Sequence, residues 1–187
     1  MNQASDDIRS NADKLTIKKL WECRTAGDWE GFVELALCNP RFLPFTFSYY
    51  DKVPDKLKYS FAIEAYTHRG DSMPSVRKAV RTARRYGAPE LPANLANQDF
   101  ITVYRAGEEP IDKAKYRISW STELEVAEFF HRRNIEFIRR PSHIYQAKIK
   151  PESCIAYTNE RQEHEIMQYR KVFDVEEITR RLTGVEK

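Results

Sequence analysis

The spacing of apolar residues changes near the middle of the chain, and this change constrains the fold more than any other feature of the sequence. Up to Gly87 the apolar residues recur at helical spacing, as they do in residues 28–37. After the proline-bearing connector APELPANLANQD, short runs rich in β-branched and aromatic residues replace them. The sequence therefore predicts an α+β protein, with a helical lobe at residues 1–95 and a mixed α and β half at residues 96–187.

The same periodicity predicts individual elements. In the first half we expect helices at 15–24, at 28–37 with Asp28 as N-cap, from Pro54 to Gly70, and from Ser72 or Ser75 to Tyr86. The proline- and aromatic-rich segment RFLPFTFSYYDKVP, residues 41–54, is expected to be an extended loop. In the second half the predicted strands are 100–104, 116–120, 144–149, 154–157, 165–169 and 171–175, with one helix at 123–132.

Composition excludes several classes of protein. The formal net charge of +3 and the pI near 8.7 are too mild for a dedicated nucleic-acid binder. The widely spaced cysteines without a CxxC pair, and the scattered histidines, predict neither a disulfide framework nor a metal site. The polar N-terminus and the lack of an apolar run of about 20 residues predict no signal peptide and no membrane partner. We expect a cytoplasmic protein, or one delivered into a target cell's cytoplasm without a recognisable signal.

Two polar motifs follow predicted strands. In ITVYRAG, Arg105 stands near the end of a strand, where its guanidinium fork can hold phosphate oxygens or form a surface ion pair. In ISWSTELEVAEFF, the hydroxyl residues Ser119, Ser121 and Thr122 lie where a strand passes into a helix. Thr122, with Glu125 three residues later, fits a capping box, whereas Ser121 has either a capping role alone or a capping role together with a ligand contact.

A third motif, NERQEHEIM, carries two carboxylates. Alternation along a strand predicts that Glu163 and Glu165 share one face of an extended segment. Like charges at that spacing repel each other, and a purely structural strand normally avoids this cost. A carboxylate pair in a cleft can stabilise a developing positive charge, as in glycoside cleavage. Acidic residues that protect an exposed edge strand from aggregation are the alternative.

Taken in this order, the three motifs resemble the ADP-ribosyltransferase family of the arginine, serine, glutamate type, over roughly residues 100–175. The resemblance implies a split mixed or antiparallel β-sandwich in which Arg105 contacts the phosphates of NAD. It implies that Ser121, followed by Thr122, braces the NAD site. It also implies that Glu165 is the catalytic residue and that Glu163 engages the acceptor.

The match to the serine motif has one departure. Glu123 stands where the family has its second serine, so the triplet Ser119-Trp120-Ser121 is an alternative match. Nicotinamide needs a flat partner, and each aromatic residue near the motifs is a candidate with a core role as its alternative. These candidates are Tyr116, Trp120, Phe129 and Phe130. By the same resemblance, residues 157–162 form the loop that recognises the acceptor.

The resemblance implies a toxin-like or effector-like enzyme that uses NAD as its substrate and needs no metal. The acceptor would be a macromolecule, with a protein arginine favoured over nucleic acid. The chain has neither a GxGxxG motif nor a P-loop, so NAD binding would not use a glycine-rich turn. One alternative is a NAD glycohydrolase, in which water replaces the acceptor. The other is a non-enzymatic protein that binds an acidic partner through the basic face of helix 75–86, which comprises Arg77, Lys78, Arg81, Arg84 and Arg85.

Overall fold

The computed structural model describes residues 3–159 and 162–179 of the chain. The chain divides into two compact units, residues 1–87 and residues 88–187. In the described residues the first unit contains only helices and turns, and six strands lie in the second. The α+β class predicted from the change in apolar spacing is therefore confirmed.

Helices form the first unit. They are α1 (Gln3–Ala26), α2 (Trp29–Cys38), α3 (Leu43–Thr46), α4 (Asp55–Arg69) and α5 (Pro74–Thr82). The predicted apolar faces supply buried side chains, among them Leu20, Phe32 and Phe61. As predicted, Asp28 caps α2, because its Oδ1 accepts a hydrogen bond of 2.9 Å from the backbone N–H of Gly31.

The aromatic-rich segment 41–54 is not the extended loop that was expected. It folds into α3 between two 3₁₀ turns, Pro40–Phe42 and Phe47–Lys52. Pro40 and Pro44 stand in the first turn of two of these elements. Backbone N–H groups in a first turn have no partner within the helix, so the N–H that proline lacks costs no hydrogen bond there. The aromatic rings pack inward, and the ring centroids of Phe47 and Phe61 are 4.7 Å apart. The prolines thus begin short helical turns here.

The basic face predicted on the last helix of the first unit is present. Val76, Ala79 and Val80 of α5 are buried, whereas Lys78 and Arg85 are exposed. The α-helix ends earlier than expected and continues as the 3₁₀ turn Ala83–Arg85. The amphipathic character predicted for this segment is therefore confirmed.

One antiparallel sheet organises the second unit. The elements in chain order are α6 (Ala93–Ala96), β1 (Ile101–Gly107), α7 (Ile111–Ala114), β2 (Ser119–Ser121), α8 (Leu124–Arg133), a π-helical turn (Asn134–Ile138), β3 (His143–Ile149), β4 (Cys154–Thr158), β5 (Glu165–Gln168) and β6 (Phe173–Glu177). The sheet is open, its strand order is β4-β5-β2-β1-β3-β6, and every neighbouring pair is antiparallel. Each strand overlaps one of the predicted strands.

The two faces of this sheet bury different side chains. The larger core includes Val103, Trp120, Tyr145, Ala147 and Ile166. On the other face, Ala127 of α8 packs with Ile144 of β3 and Tyr104 of β1. Because side chains alternate along a strand, Tyr104 lies on the α8 face, and Arg105 lies on the face of the larger core. This alternation decides which of the predicted site residues can meet.

Candidate functional site

The three sequence motifs lie on three adjacent strands. Strands β1, β2 and β5, which carry Arg105, Ser121 and Glu165, are consecutive in the middle of the sheet. Ser121 is directly opposite Tyr104 on β1 and directly opposite Glu165 on β5. Directly opposed residues of antiparallel strands present their side chains on the same face. Strand pairing therefore brings Ser121 and Glu165 together.

A row of polar side chains extends across the sheet from this pair. The register aligns, in order, Thr158, Glu165, Ser121, Tyr104 and Gln146. Ser121 and Glu165 are only 8% and 7% exposed. A buried carboxylate experiences a lower effective dielectric than one in water, so it acts more strongly on a positive charge that develops beside it.

The Ser121 hydroxyl connects the second motif to the third. Its Oγ donates a hydrogen bond of 2.7 Å to the carbonyl of Glu163 and accepts one of 3.0 Å from the backbone N–H of Glu123. One residue further on, the N–H of Thr122 donates a 3.0 Å bond to the carbonyl of His164. These bonds fasten the start of α8 to the segment that precedes β5.

The capping box predicted for Thr122 is wrong. Helix α8 begins at Leu124, so its N-cap is Glu123, whose side chain makes no capping hydrogen bond. The Thr122 hydroxyl instead lies 3.4 Å from a carboxylate oxygen of Glu123. The hydroxyl that accepts a backbone N–H at the start of this helix belongs to Ser121. Ser121 thus combines the local role of a cap with the long-range bond to the third motif.

Glu163 and Glu165 do not share one face of an extended segment, contrary to the prediction from alternation. Strand β5 begins at Glu165, and the preceding His164 has a left-handed φ of 44°. A left-handed residue interrupts the alternation of side chains, so the two carboxylates are not related by strand geometry. Glu163 is half-buried in the loop before β5, where its carbonyl accepts the serine hydroxyl bond.

The loop expected to recognise the acceptor, residues 157–162, is described in part, because residues 160 and 161 lie outside the described residues. Tyr157 belongs to β4, and its Oη lies 3.0 Å from Nδ1 of His164. Asn159 Oδ1 accepts a 3.2 Å hydrogen bond from the backbone N–H of His164. His164 therefore makes hydrogen bonds through its ring, its N–H and its carbonyl, and these bonds connect the segment before Glu165 to Tyr157, Asn159 and Thr122.

Arg105 is held on the other side of the sheet. Alternation along β1 directs its side chain away from the face that carries Ser121 and Glu165. Its Nη1 donates a 2.8 Å hydrogen bond to the carbonyl of Ser119, and its Nε donates one of 3.3 Å to Glu109. The three motif side chains therefore do not meet on one face, and Arg105 contacts the backbone of β2 from the opposite side.

Arg105 and Arg117 share the carboxylate of Glu109. Nε of Arg117 lies 2.7 Å from the same oxygen that Arg105 contacts. Burial raises the pKa of Glu109, but the positive charges of both arginines, with hydrogen bonds from its backbone and Arg117, outweigh burial and hold that pKa below its ordinary value. Burial and nearby carboxylates raise the pKa of Tyr145 to about 12, so its hydroxyl stays protonated and donates to the carbonyl of Glu109.

The aromatic candidates occupy different places. Trp120 is buried in the larger core, on the face away from the serine and glutamate pair, and its Nε1 donates a 3.0 Å bond to the Arg117 carbonyl. Tyr116 is exposed in the turn before β2. Phe130 is half-buried on α8, with its ring centroid 5.4 Å from that of Phe129. Of these, only the two phenylalanines lie on the helix that packs over the face with Ser121.

The sequence interpretation missed Tyr104. This side chain is half-buried and lies on the same face as Ser121, directly opposite it in the register. The available signal was its place next to Arg105, since neighbouring residues on one strand face opposite ways. Only the pairing of β1 with β2 decides which of the two shares the face of Glu165.

Comparison of the chain with protein-family models, with curated proteins and with solved structures found no match.

In the described part of the chain, no group of three or more His, Cys, Asp or Glu residues could hold a metal ion. No helix described here has both the length and the apolar character needed to cross a membrane. A cavity of about 390 Å³ lies beside α7 and β6, lined by Ile111, Asp112, Lys115, Lys171, Val172, Phe173, Asp174 and Val175, none of which belongs to the three motifs.

Proposed function

We propose that this protein is a mono-ADP-ribosyltransferase that cleaves NAD, releases nicotinamide and transfers ADP-ribose to a macromolecular acceptor. The observation that carries the proposal is the direct pairing of Ser121 with Glu165 on one face of the sheet. The adjacency of the three motif strands supports it, because motifs far apart in sequence would become neighbours only by chance in an unrelated fold. The proposal includes an ADP-ribosyltransferase-like fold. The resemblance implied a split β-sandwich, whereas this chain has one open sheet.

Glu165 is the proposed catalytic residue. As the bond between nicotinamide and ribose breaks, its electron pair leaves with the nicotinamide, and positive charge develops at the anomeric carbon. A carboxylate that holds the neighbouring 2′-hydroxyl stabilises this charge more than it stabilises the ground state. The burial of Glu165 favours this role, because the surrounding protein screens its charge less than water would.

Glu163 is the proposed contact for the acceptor. Carboxylates bind guanidinium groups through two parallel hydrogen bonds, so a protein arginine is the favoured acceptor and nucleic acid the less favoured one. In the transfer step, a nitrogen lone pair of the acceptor forms the new bond to the anomeric carbon. The proton that this nitrogen loses passes to Glu163 and then to water. NAD supplies the whole of the transferred group, and the proposal needs no metal.

Ser121 and Arg105 are proposed as positioning residues. The hydroxyl of Ser121 fixes the carbonyl of Glu163, and the guanidinium of Arg105 fixes the carbonyl of Ser119. For Arg105 this replaces the phosphate contact expected from the resemblance, because its side chain lies on the opposite face and donates to Glu109. Both residues would preserve the placement of the catalytic carboxylate, which converts binding energy into orientation.

Tyr104 is the proposed flat partner for nicotinamide. It is the aromatic side chain next to Ser121 on the face of Glu165, and its ring is half-buried under α8. Phe130 on α8 is the second candidate, because this helix packs over β1 on the same face. Trp120 is dropped, because its ring is buried in the larger core on the other face.

The experiment that tests the proposal follows both halves of NAD. Purified protein is incubated with NAD labelled either in nicotinamide or in the adenylate, together with a protein extract, RNA or DNA in separate reactions. We expect nicotinamide release and transfer of the adenylate label to protein. If neither nicotinamide release nor an NAD-dependent shift in melting temperature is observed, the proposal is wrong.

Two other functions have specific observations in their favour. Release of nicotinamide without labelling of any acceptor would indicate a NAD glycohydrolase, which the separation of Glu163 from the strand of Glu165 favours. The exposed basic face of α5 favours a non-enzymatic protein that binds an acidic partner. That function predicts that Glu165→Gln leaves binding of the acidic partner intact, whereas changes at Arg81 and Arg84 abolish this binding.

A further inference from the structure

One surface of the second unit combines exposed apolar side chains with arginines. It is formed by residues 129–140, the end of α8 and the π-helical turn, and is called here the α8 tip. Its large exposed apolar side chains are Phe129 (56%), Ile135 (47%), Phe137 (80%) and Ile138 (43%). Single exposed apolar residues are common on proteins, but a concentration of four within one short segment is typical of an interaction site.

The charge of the α8 tip is positive. Its four exposed arginines are Arg132, Arg133, Arg139 and Arg140. Against these stands one acidic residue of the segment, Glu136, so the formal charge is +3 with His131 neutral. From outside the segment, Glu108 forms an exposed ion pair of 3.2 Å with Arg140. The patch therefore suits a partner that offers negative charge beside an apolar layer.

The shape of the backbone presents this patch outward. The π-helical turn Asn134–Ile138 ends α8, and Arg139 then adopts a left-handed φ of 57° that reverses the chain. Phe137 and Ile138 thus lie at this turn, with Arg139 and Arg140 directly after them and Glu136 directly before them. At roughly 1.5 Å per residue, Phe137 and Ile138 lie about 20 Å along the helix from Leu124, the first residue of α8, which adjoins Ser121.

We propose that the α8 tip docks on the surface of an anionic phospholipid bilayer. Phe137 and Ile138 enter the boundary between headgroups and acyl chains, as apolar side chains of interfacial segments do. The arginines bury their stems along this boundary and keep their guanidinium groups at the lipid phosphates. Single-stranded nucleic acid is disfavoured, because it stacks its bases on flat side chains and two of the four apolar residues are isoleucines.

This inference does not depend on the proposed function. The expectation of no membrane partner came from the absence of a long apolar run, which excludes a spanning helix but does not address contact from one side. Phe137 and Ile138 are not among the residues proposed to contact NAD or the acceptor. The test can therefore be done without any NAD chemistry.

The test is co-sedimentation of the full chain with vesicles. We expect binding to vesicles of phosphatidylcholine mixed with phosphatidylserine, and at least about tenfold weaker binding to phosphatidylcholine alone. Arg139→Ala with Arg140→Ala should weaken binding about thirtyfold, since each basic residue near the surface contributes roughly a factor of five. Phe137→Ser with Ile138→Ser should abolish measurable binding without changing the circular dichroism spectrum.

A matched control is Lys18→Ala with Lys56→Ala, which removes the same charge from two exposed lysines of the first unit. Its binding should equal that of the parent protein. Equal loss in this control, or unchanged binding of the Phe137 and Ile138 variant, would show non-specific attraction and overturn the inference. Failure of the parent protein to bind phosphatidylserine vesicles would also overturn it. So would tight binding of a single-stranded thymidine oligonucleotide that the Arg139 and Arg140 changes remove, because nucleic acid would then be the partner.

Discussion

The hydroxyl of Ser121 donates a hydrogen bond to the backbone carbonyl of Glu163, a residue that lies 42 positions later in the chain. This bond joins the end of β2 to the segment that carries both glutamates of the third motif. The same hydroxyl accepts the N–H of Glu123 at the start of α8. The buried Ser121 oxygen therefore links the end of β2, the start of α8 and the segment that precedes Glu165.

Replacement of Ser121 tests this connection. Ser121→Ala removes two hydrogen bonds at a buried position and should lower the free energy of unfolding by about 1–3 kcal/mol. The rate of nicotinamide release should fall because Glu163 and Glu165 lose their support, with a smaller change in KM for NAD. Ser121→Thr, which retains the hydroxyl, should recover most of the rate. Equal rates for the alanine and parent proteins would contradict the positioning role.

Tyr104 tests the identity of the nicotinamide contact. Tyr104→Leu removes the flat ring and should raise KM for NAD roughly three- to tenfold, the range that aromatic stacking contributes. Tyr104→Phe keeps the ring and should behave as the parent protein. The readout is steady-state nicotinamide release. If Tyr116→Leu instead of Tyr104→Leu raises KM, the contact lies at the turn before β2 and the assignment to Tyr104 is wrong.

Arg105 distinguishes positioning from phosphate binding. Arg105→Lys keeps the positive charge but loses the planar fork that reaches both the Ser119 carbonyl and Glu109. A positioning role predicts that kcat falls by about tenfold while KM for NAD changes little. A phosphate contact predicts the reverse, with KM rising and kcat nearly constant. Kinetics over a range of NAD concentrations separate the two results.

The Glu109 cluster predicts a dependence of stability on pH. Because the folded-state pKa of Glu109 lies below its ordinary value of 4.5, the unfolded state binds its proton first as pH falls. The stabilisation is present above pH 4.5 and is lost as pH falls through the folded-state pKa. Urea denaturation should therefore show a loss of stability between neutral pH and strong acid. Glu109→Gln should reduce this loss and should destabilise the protein at neutral pH, because the half-buried charges of Arg105 and Arg117 would lose their counterion.

Much of the second unit could be predicted from sequence. Six short β-rich runs predicted six strands, because alternation and β-branched composition are local properties of the chain. The adjacency of Ser121 and Glu165 was not locally encoded in this way. It depends on which strands pair and in what register, and only the resemblance to a known family led us to expect that these residues meet.

The errors have physical causes as well. The face of Arg105 depended on the register of β1 against β2, which no local pattern specifies. The alternation assumed for Glu163 failed because His164 is left-handed, a conformation that its contacts with Tyr157 and Asn159 hold in place. In the first unit, prolines that suggested a loop serve as the first residues of short helical turns.

The most direct test of the proposed catalytic site is the rate of nicotinamide release by Glu165→Gln. Glutamine is nearly isosteric but lacks the negative charge, so the rate should fall by about two or more decades while the melting temperature stays close to that of the parent protein. Glu152→Gln, a change at an exposed carboxylate of the same unit, serves as the control and should retain the parent rate. A folded Glu165→Gln protein that releases nicotinamide as fast as the parent would contradict the proposal that this carboxylate cleaves NAD.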